Sequence, residues 1–251
     1  MINNQITECF QIALAGKIIE IHSLYSYIKE YCKGYITEGQ LPDFVVETQM
    51  QEIDFEKKKS AEGSRIEGIR EREYADEYLE TLAIYRKIAT KMLDYDIFLF
   101  HGSVIAVDGI GYLFTAKSGT GKSTHARLWR ELFGERAVMI NDDKPLIQIT
   151  DHGVLAYGTP WDGKHHLSSN TGVPLKAICI LNRSEINEIT GIDKREVLPI
   201  LCQQSYRPSD PTALMKTLSL VDKLGDSVKL YRLNCNMEPE AARISYAGMN
   251  K

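Results

Sequence analysis

Two short apolar, β-rich runs in residues 10–22, FQIALAGKIIEIH, are separated by Ala15-Gly16, which predicts a β-hairpin. The tyrosine-rich segment 23–35, SLYSYIKEYCKGY, reads as helical, and 43–49, DFVVETQ, as a further strand. Residues 52–73, EIDFEKKKSAEGSRIEGIRERE, mix both charges with little apolar content and read as an exposed loop or a solvated helix face, where a partner surface stays open. From Tyr74 to Leu93 the apolar residues Leu79, Leu82, Ala83, Tyr85, Ile88 and Met92 recur at steps of three and four. That is the period of an amphipathic helix, placed to connect two halves.

The period then changes. Residues 98–116, FLFHGSVIAVDGIGYLFTA, predict two apolar strands around the turn dipeptide Asp108-Gly109. KSTHARLWRELFG has helical spacing up to Gly134, and RAVMIND is a buried strand with polar residues at its end. PLIQIT and VLAYGTP flank a turn at Asp151-His152-Gly153. A polar loop, WDGKHHLSSNTGVP, leads to the buried strand LKAICILNR. Helices are expected around 193–206 and 211–224, then the strand VKLYRLN and a terminal helix opened by Glu238-Pro239, where proline suits the first turn. Strands and helices interleaved in this way predict an α/β (α+β) protein with no internal repeat.

Composition narrows the function classes. A chain of 251 residues with 43% apolar content can fill one large domain or two small ones. Its net charge of −4, with Lys and Arg scattered among acids, argues against a nucleic-acid partner. Five cysteines include no CxxC pair, and three of them lie in apolar runs where a buried structural thiol is the ordinary reading. No apolar run approaches the roughly 18 residues of a membrane span, and the N-terminus lacks the character of a secretion signal, so no membrane partner and a cytoplasmic location are expected.

The sharpest chemical signal is AKSGTGKS, residues 116–123. A GxxxxGK[ST] loop points successive backbone N–H groups at phosphate oxygens, and its lysine adds a charge near the β- and γ-phosphates. Here Ala116 stands at the first glycine position, while Gly119, Gly121, Lys122 and Ser123 are in place. The string lies between a strand ending at Thr115 and a helix starting near Lys122, so the orphan amides of that helix face the loop. Nucleotide-binding candidates are Lys117, Ser118, Gly119, Thr120, Gly121, Lys122, Ser123 and Thr124.

Phosphoryl transfer also needs a divalent cation and a carboxylate that orients or deprotonates the attacking hydroxyl. AVMINDD supplies a buried strand with Asp142 and Asp143 at its end, some twenty residues after Lys122. His101 lies among apolar neighbours and by spacing reads as a core residue. His125 can face either way on its helix. No histidine has the spacing of a zinc site. Trp161, Lys164, His165 and His166, in the loop 161–174, suit contacts to phosphate or to an acceptor, and equally a surface crossover anchored by Trp161.

Together, HGSVIAVDGIGYLFTAKSGTGKSTHARLW and VMINDDKPLI resemble the catalytic domain of HPr kinase/phosphorylase, within the phosphoenolpyruvate carboxykinase-like superfamily of nucleotide enzymes. The resemblance spans about residues 98–183 and continues more loosely to 236. It implies a P-loop-containing phosphoenolpyruvate carboxykinase-like catalytic domain with a mixed sheet over 96–251. The first 90 residues carry no such resemblance, and 1–95, with the connecting helix, are read as a small N-terminal α/β recognition or assembly domain. The resemblance further implies ATP and Mg²⁺ as cofactors, Ser123 and Asp143 as metal ligands, and Asp142, His101 and Lys122 as catalytic residues, with Asp142 the base. The chain differs from the family at Thr124, where an acid is common, and at Lys144, where arginine is common.

Two readings of different class follow. One is a kinase moving the γ-phosphoryl of ATP to a serine- or threonine-type hydroxyl of a peptide, protein or small metabolite. The other is a non-catalytic, nucleotide-dependent regulator whose N-terminal half binds a partner. The retained acid pair favours the kinase over the regulator. A carboxykinase-type decarboxylation fits the chain's length poorly, and self-association is left open.

Overall fold

The computed structural model describes residues 6–68, 70–117 and 119–250, which divide into two compact units, Met1–Lys91 and Met92–Lys251. In the first unit the strands are β1 (Glu8–Leu14) and β2 (Lys17–Ser23), followed by helix α1 (Tyr27–Tyr31), β3 (Ile36–Thr37) and β4 (Phe44–Glu47). Helices α2 (Met50–Glu67) and α3 (Asp76–Met92) complete it. The sheet order is β3-β1-β2-β4, with β2 and β4 parallel and the other pairs antiparallel. The β1–β2 turn places Ala15 and Gly16 at positive φ, as a two-residue hairpin connection requires.

One expectation is corrected here. Residues 23–35 hold only the short α1 and a 3₁₀ turn at Lys33–Tyr35. Of the two readings of the charged segment 52–73, the solvated helix face holds for most of its length: it is the helix α2, which a capping box between Gln49 and Glu52 starts and Gly68, in the left-handed region, ends. Its few buried positions, Ile53 and Glu56 among them, are too sparse for periodicity to reveal the helix. On α3 the fully buried Glu80 accepts hydrogen bonds from the backbone N–H groups of Leu24 (2.7 Å) and Tyr25 (3.0 Å) and from the Thr48 hydroxyl. Burial holds its carboxyl above the ordinary range against the pull of those three bonds.

The second unit opens with β5 (Ile97–Leu99), β6 (Ser103–Val107) and β7 (Ile110–Thr115), then helix α4 (Lys122–Phe133) and the strands β8 (Ala137–Asn141), β9 (Leu146–Thr150) and β10 (Gly153–Tyr157). It continues through β11 (Gly172–Arg183), β12 (Glu188–Gly191), α5 (Lys194–Gln204), α6 (Pro211–Ser227), β13 (Lys229–Cys235) and α7 (Pro239–Met249). These strands form a mixed nine-stranded sheet whose main path runs β5-β9-β10-β11-β7-β6-β8. The long β11 pairs antiparallel with β10 near its start and parallel with β7 and β13 further on. The four-residue β12, largely exposed, was not foreseen: it has no apolar run to mark it.

Alternation along the central strands separates two cores. Val104, Ala106, Leu113, Ile178 and Ile180 join one cluster with Val197 and Leu201 of α5 and Leu220, Val221 and Leu224 of α6. Ile105, Val107, Tyr112, Phe114, Cys179 and Leu181 join the other with Leu128 and Trp129 of α4 and Ala241, Ala242 and Met249 of α7. A sheet apolar on both faces needs helices on both, which is why these strands read as continuous hydrophobic runs. Among the described residues no helix is long and apolar enough to cross a membrane.

Candidate functional site

The site forms where β7 and β8 end. After Thr115 the chain turns through Ala116 and Lys117, and α4 begins at Lys122 behind Gly121, with His125 N–H donating to Gly121 O at 2.9 Å. Gly119 has φ 77° and Gly121 φ 122°, so both depend on the absence of a side chain, whereas Ala116 takes no positive φ and is buried. The replaced glycine is therefore at a position that tolerates a β-carbon. Arg183, at the end of β11, donates from its guanidinium to the carbonyls of Gly119 and Thr120. Ser118 lies outside the described residues.

Across from this loop β8 delivers its two acids. Asn141 closes the strand: its side-chain oxygen accepts from the N–H groups of Asp143 (2.9 Å) and Lys144 (2.7 Å), and its amide donates to Thr159. That turn aims the two carboxylates at different partners. Asp142 Oδ1 accepts from the buried Ser103 hydroxyl at 2.7 Å, and Ser123 lines the same hollow as this carboxylate. Asp143 Oδ1 lies 3.4 Å from His101 Nε2, and its other oxygen 3.8 Å from Lys144 Nζ.

His101 is not on a strand, as expected, but in the break between β5 and β6, held by its N–H to Gln204 O (2.7 Å) and by its carbonyl, which accepts from Thr115 Oγ1 (3.0 Å). Gly102 beside it approaches the sheet so closely that a β-carbon would lie 2.9 Å from Phe114 O. The break turns the imidazole toward the acid pair.

The electrostatics follow from burial and charge. Burial pushes the Asp142 carboxyl up, more than the hydrogen bonds from Ser103 and Ser123 pull it down. Burial pushes Asp143 the same way, but the His101 hydrogen bond and the charges of Lys144, His101 and Lys122 outweigh it and leave this acid below the ordinary range. Burial lowers Lys122 against the raising influence of both aspartates, and its ammonium donates to Ala116 O at 3.3 Å. An open cavity of about 540 Å³ is lined together by Gly119, Gly121, Lys122, Ser123 and Thr124, by Asp142, Asp143 and His101, and by Gly163, Lys164 and His165.

Four further candidates separate from this group. Lys117 and Thr120 belong to the loop but not to the lining of that cavity. Trp161 is buried, and His166 is exposed and faces Asp162 at 3.0 Å. The buried Asp162 also accepts from Ser168 N–H at 2.9 Å, so it ties the loop into a fixed turn. His125 is enclosed between Phe114, Trp129 and Ser245, with Nε2 3.0 Å from Ser245 Oγ, and burial pulls its pKa down to about 4. Sequence reasoning missed Ser103, Asn141 and Asp162. A polar residue in the otherwise apolar run SVIAV was the available signal for Ser103.

No family model and no curated protein matches the chain. Among solved structures, the HPr(Ser) kinase/phosphatase from Coxiella burnetii shows a distant similarity, with a TM-score of 0.33 and 10% sequence identity over 61% of this chain and 99% of that one. A likeness at that level decides neither fold nor activity.

Proposed function

We propose that the chain is an ATP- and Mg²⁺-dependent kinase of phosphoenolpyruvate carboxykinase-like architecture, transferring the γ-phosphoryl group to a hydroxyl of a peptide, protein or small hydroxylated molecule. The observation that carries this reading is the single cavity lined by the phosphate-loop residues, both carboxylates and His101. Lys122 and the amides at the start of α4 are the groups that hold a polyphosphate. The first unit, in this reading, serves acceptor recognition or assembly.

Ser123 and Asp142 offer a hydroxyl and a carboxylate in the lining of one cavity, a hard-oxygen pair that fits Mg²⁺. Bound there, the ion would supply neutralisation of phosphate charge. Asp143 is then the base, oriented by His101. As the acceptor oxygen bonds to the γ-phosphorus and the bond to the ADP oxygen breaks, the hydroxyl proton passes to the Asp143 carboxylate. These roles exchange the two acids relative to the assignment the resemblance implied, and what supports the exchange is that Asp143, not Asp142, faces His101.

The test is transfer from labelled ATP, with Mg²⁺, to a panel of serine peptides, free serine and polyols. Lys122→Ala is expected to lose ATP binding. Asp143→Asn is expected to retain binding while transfer falls by about 10²–10⁴. Transfer by Asp143→Asn at the parental rate would refute the assignment of the base.

A further inference from the structure

We propose that the nucleoside of the nucleotide docks in a second cavity, on the opposite flank of the phosphate loop, built from the ends of β11 and β13. This rests on the nucleotide reading above and deepens it. The cavity has a volume of about 440 Å³, within the range of small-molecule sites, and shares Gly119, Gly121 and Thr124 with the cavity that holds the acids. The loop is therefore the wall between the two. A ligand whose phosphates lie on the loop amides can reach into either one.

Topology favours this place. β7, β11 and β13 are adjacent and parallel, so their C-terminal ends open on the same edge of the sheet. Open α/β sheets gather ligands at that edge. β7 leads into the phosphate loop, β11 ends in Asn182 and Arg183, and β13 ends in Cys235 with Asn236 and Met237 beyond it.

The chemistry of the two cavities differs in the sense the proposal needs. The first collects two carboxylates, two lysines and two imidazoles, which suit phosphate, metal and proton transfer but not a flat, uncharged ring. The second has apolar walls in Leu128, Leu181, Cys235 and Met237, with the Asn182 amide and Ser184 hydroxyl within its lining. Met237 is 76% exposed, a large apolar side chain left on the rim, and a thioether packs well on an aromatic face. A third hollow beside α4, about 210 Å³, includes Arg127, Arg130 and Asp142 and is smaller and more charged. Arg183 joins the second cavity to the phosphate loop, since it lines the one and binds the Gly119 and Thr120 carbonyls of the other.

The experiment is calorimetric titration of the full chain with ATP and, separately, with inorganic tripolyphosphate. The proteins are the parent, Met237→Ser and Asn182→Trp, the latter to fill the cavity; both positions are exposed. Both variants are expected to bind ATP about tenfold or more weakly while tripolyphosphate stays within about twofold of the parent. Unchanged ATP binding in both variants overturns the proposal, and so does equal weakening of both ligands, which would report damage to the loop instead. A parent that binds tripolyphosphate as tightly as ATP sinks the nucleoside site alone. A parent that binds neither removes the nucleotide reading, and this inference with it.

Discussion

The buried histidine on α4 makes a quantitative prediction about acid stability. His125 is enclosed by Phe114, Trp129 and Ser245, and burial lowers its folded-state pKa from the ordinary 6.5 to about 4. Between those values the unfolded chain binds a proton that the folded chain refuses. Stability is therefore lost as pH falls from about 6.5 toward 4, and the loss levels off below that. At about 1.4 kcal/mol per unit, the full effect is about 3 kcal/mol, of which about 2.5 kcal/mol has been lost by about pH 4.5. The perturbation is His125→Gln, which removes the titration while every carboxylate stays the same in both proteins. Urea unfolding followed by tryptophan fluorescence reads the correct unit, since Trp129 and Trp161 are the chain's two tryptophans and both lie in the second one. Going from about pH 7 to 4.5, the parent's midpoint should fall by about 1 M urea more than the variant's. If the two midpoints fall in parallel, His125 is not the neutral, buried group described here.

Three other outcomes are expected. His101→Gln should raise the Asp143 pKa, by removing a hydrogen bond that lowers it, and so move the acidic limb of the transfer rate to higher pH; an unchanged pH–rate profile would make His101 a packing residue only. Gly158→Ala should destabilise the second unit by about 3 kcal/mol or more in urea unfolding, because the new carbon would lie 2.0 Å from Ser169 O and 2.5 Å from Ile140 O; a parental midpoint would contradict that close approach. Glu80→Ala should cost the first unit about 3–5 kcal/mol by leaving the Leu24 and Tyr25 backbone donors unpaired and removing the shorter of the Thr48 hydroxyl's two bonds. Hydrogen exchange at the Leu24 and Tyr25 amides reads this, and protection equal to the parent's would refute it.

Elements with a strong local signal were legible in the chain. The hairpins at Ala15-Gly16 and Asp108-Gly109 follow from turn residues between apolar runs, and α3 follows from its three-and-four spacing. The strand–loop–helix around Lys122 likewise follows from local pattern, because glycine conformation and helix-terminal amides are properties of a few consecutive residues. Where the pattern was weak the reading stayed open or missed the element. The helix α2 carries its capping signal in Gln49 and Glu52 but too little apolar content, and the exposed β12 exists only because β13 offers it a free edge.

The sequence by itself determined that a glycine-rich strand-to-helix loop with Lys122 and Ser123 and a pair of adjacent acids occur in one chain, in that order. Only the tertiary structure decided what each acid touches. Asp142 and Asp143 are neighbours of the same type, yet the Asn141 turn sends one to Ser103 and Ser123 and the other to His101. Those partners come from β6, α4 and the break before β6, at residues 19 to 42 positions away along the chain. Contacts between such segments are made by the sheet order, which places β6 between β7 and β8, and no local periodicity encodes that order. The same holds for His125 and Trp161, whose burial depends on layers assembled from distant elements.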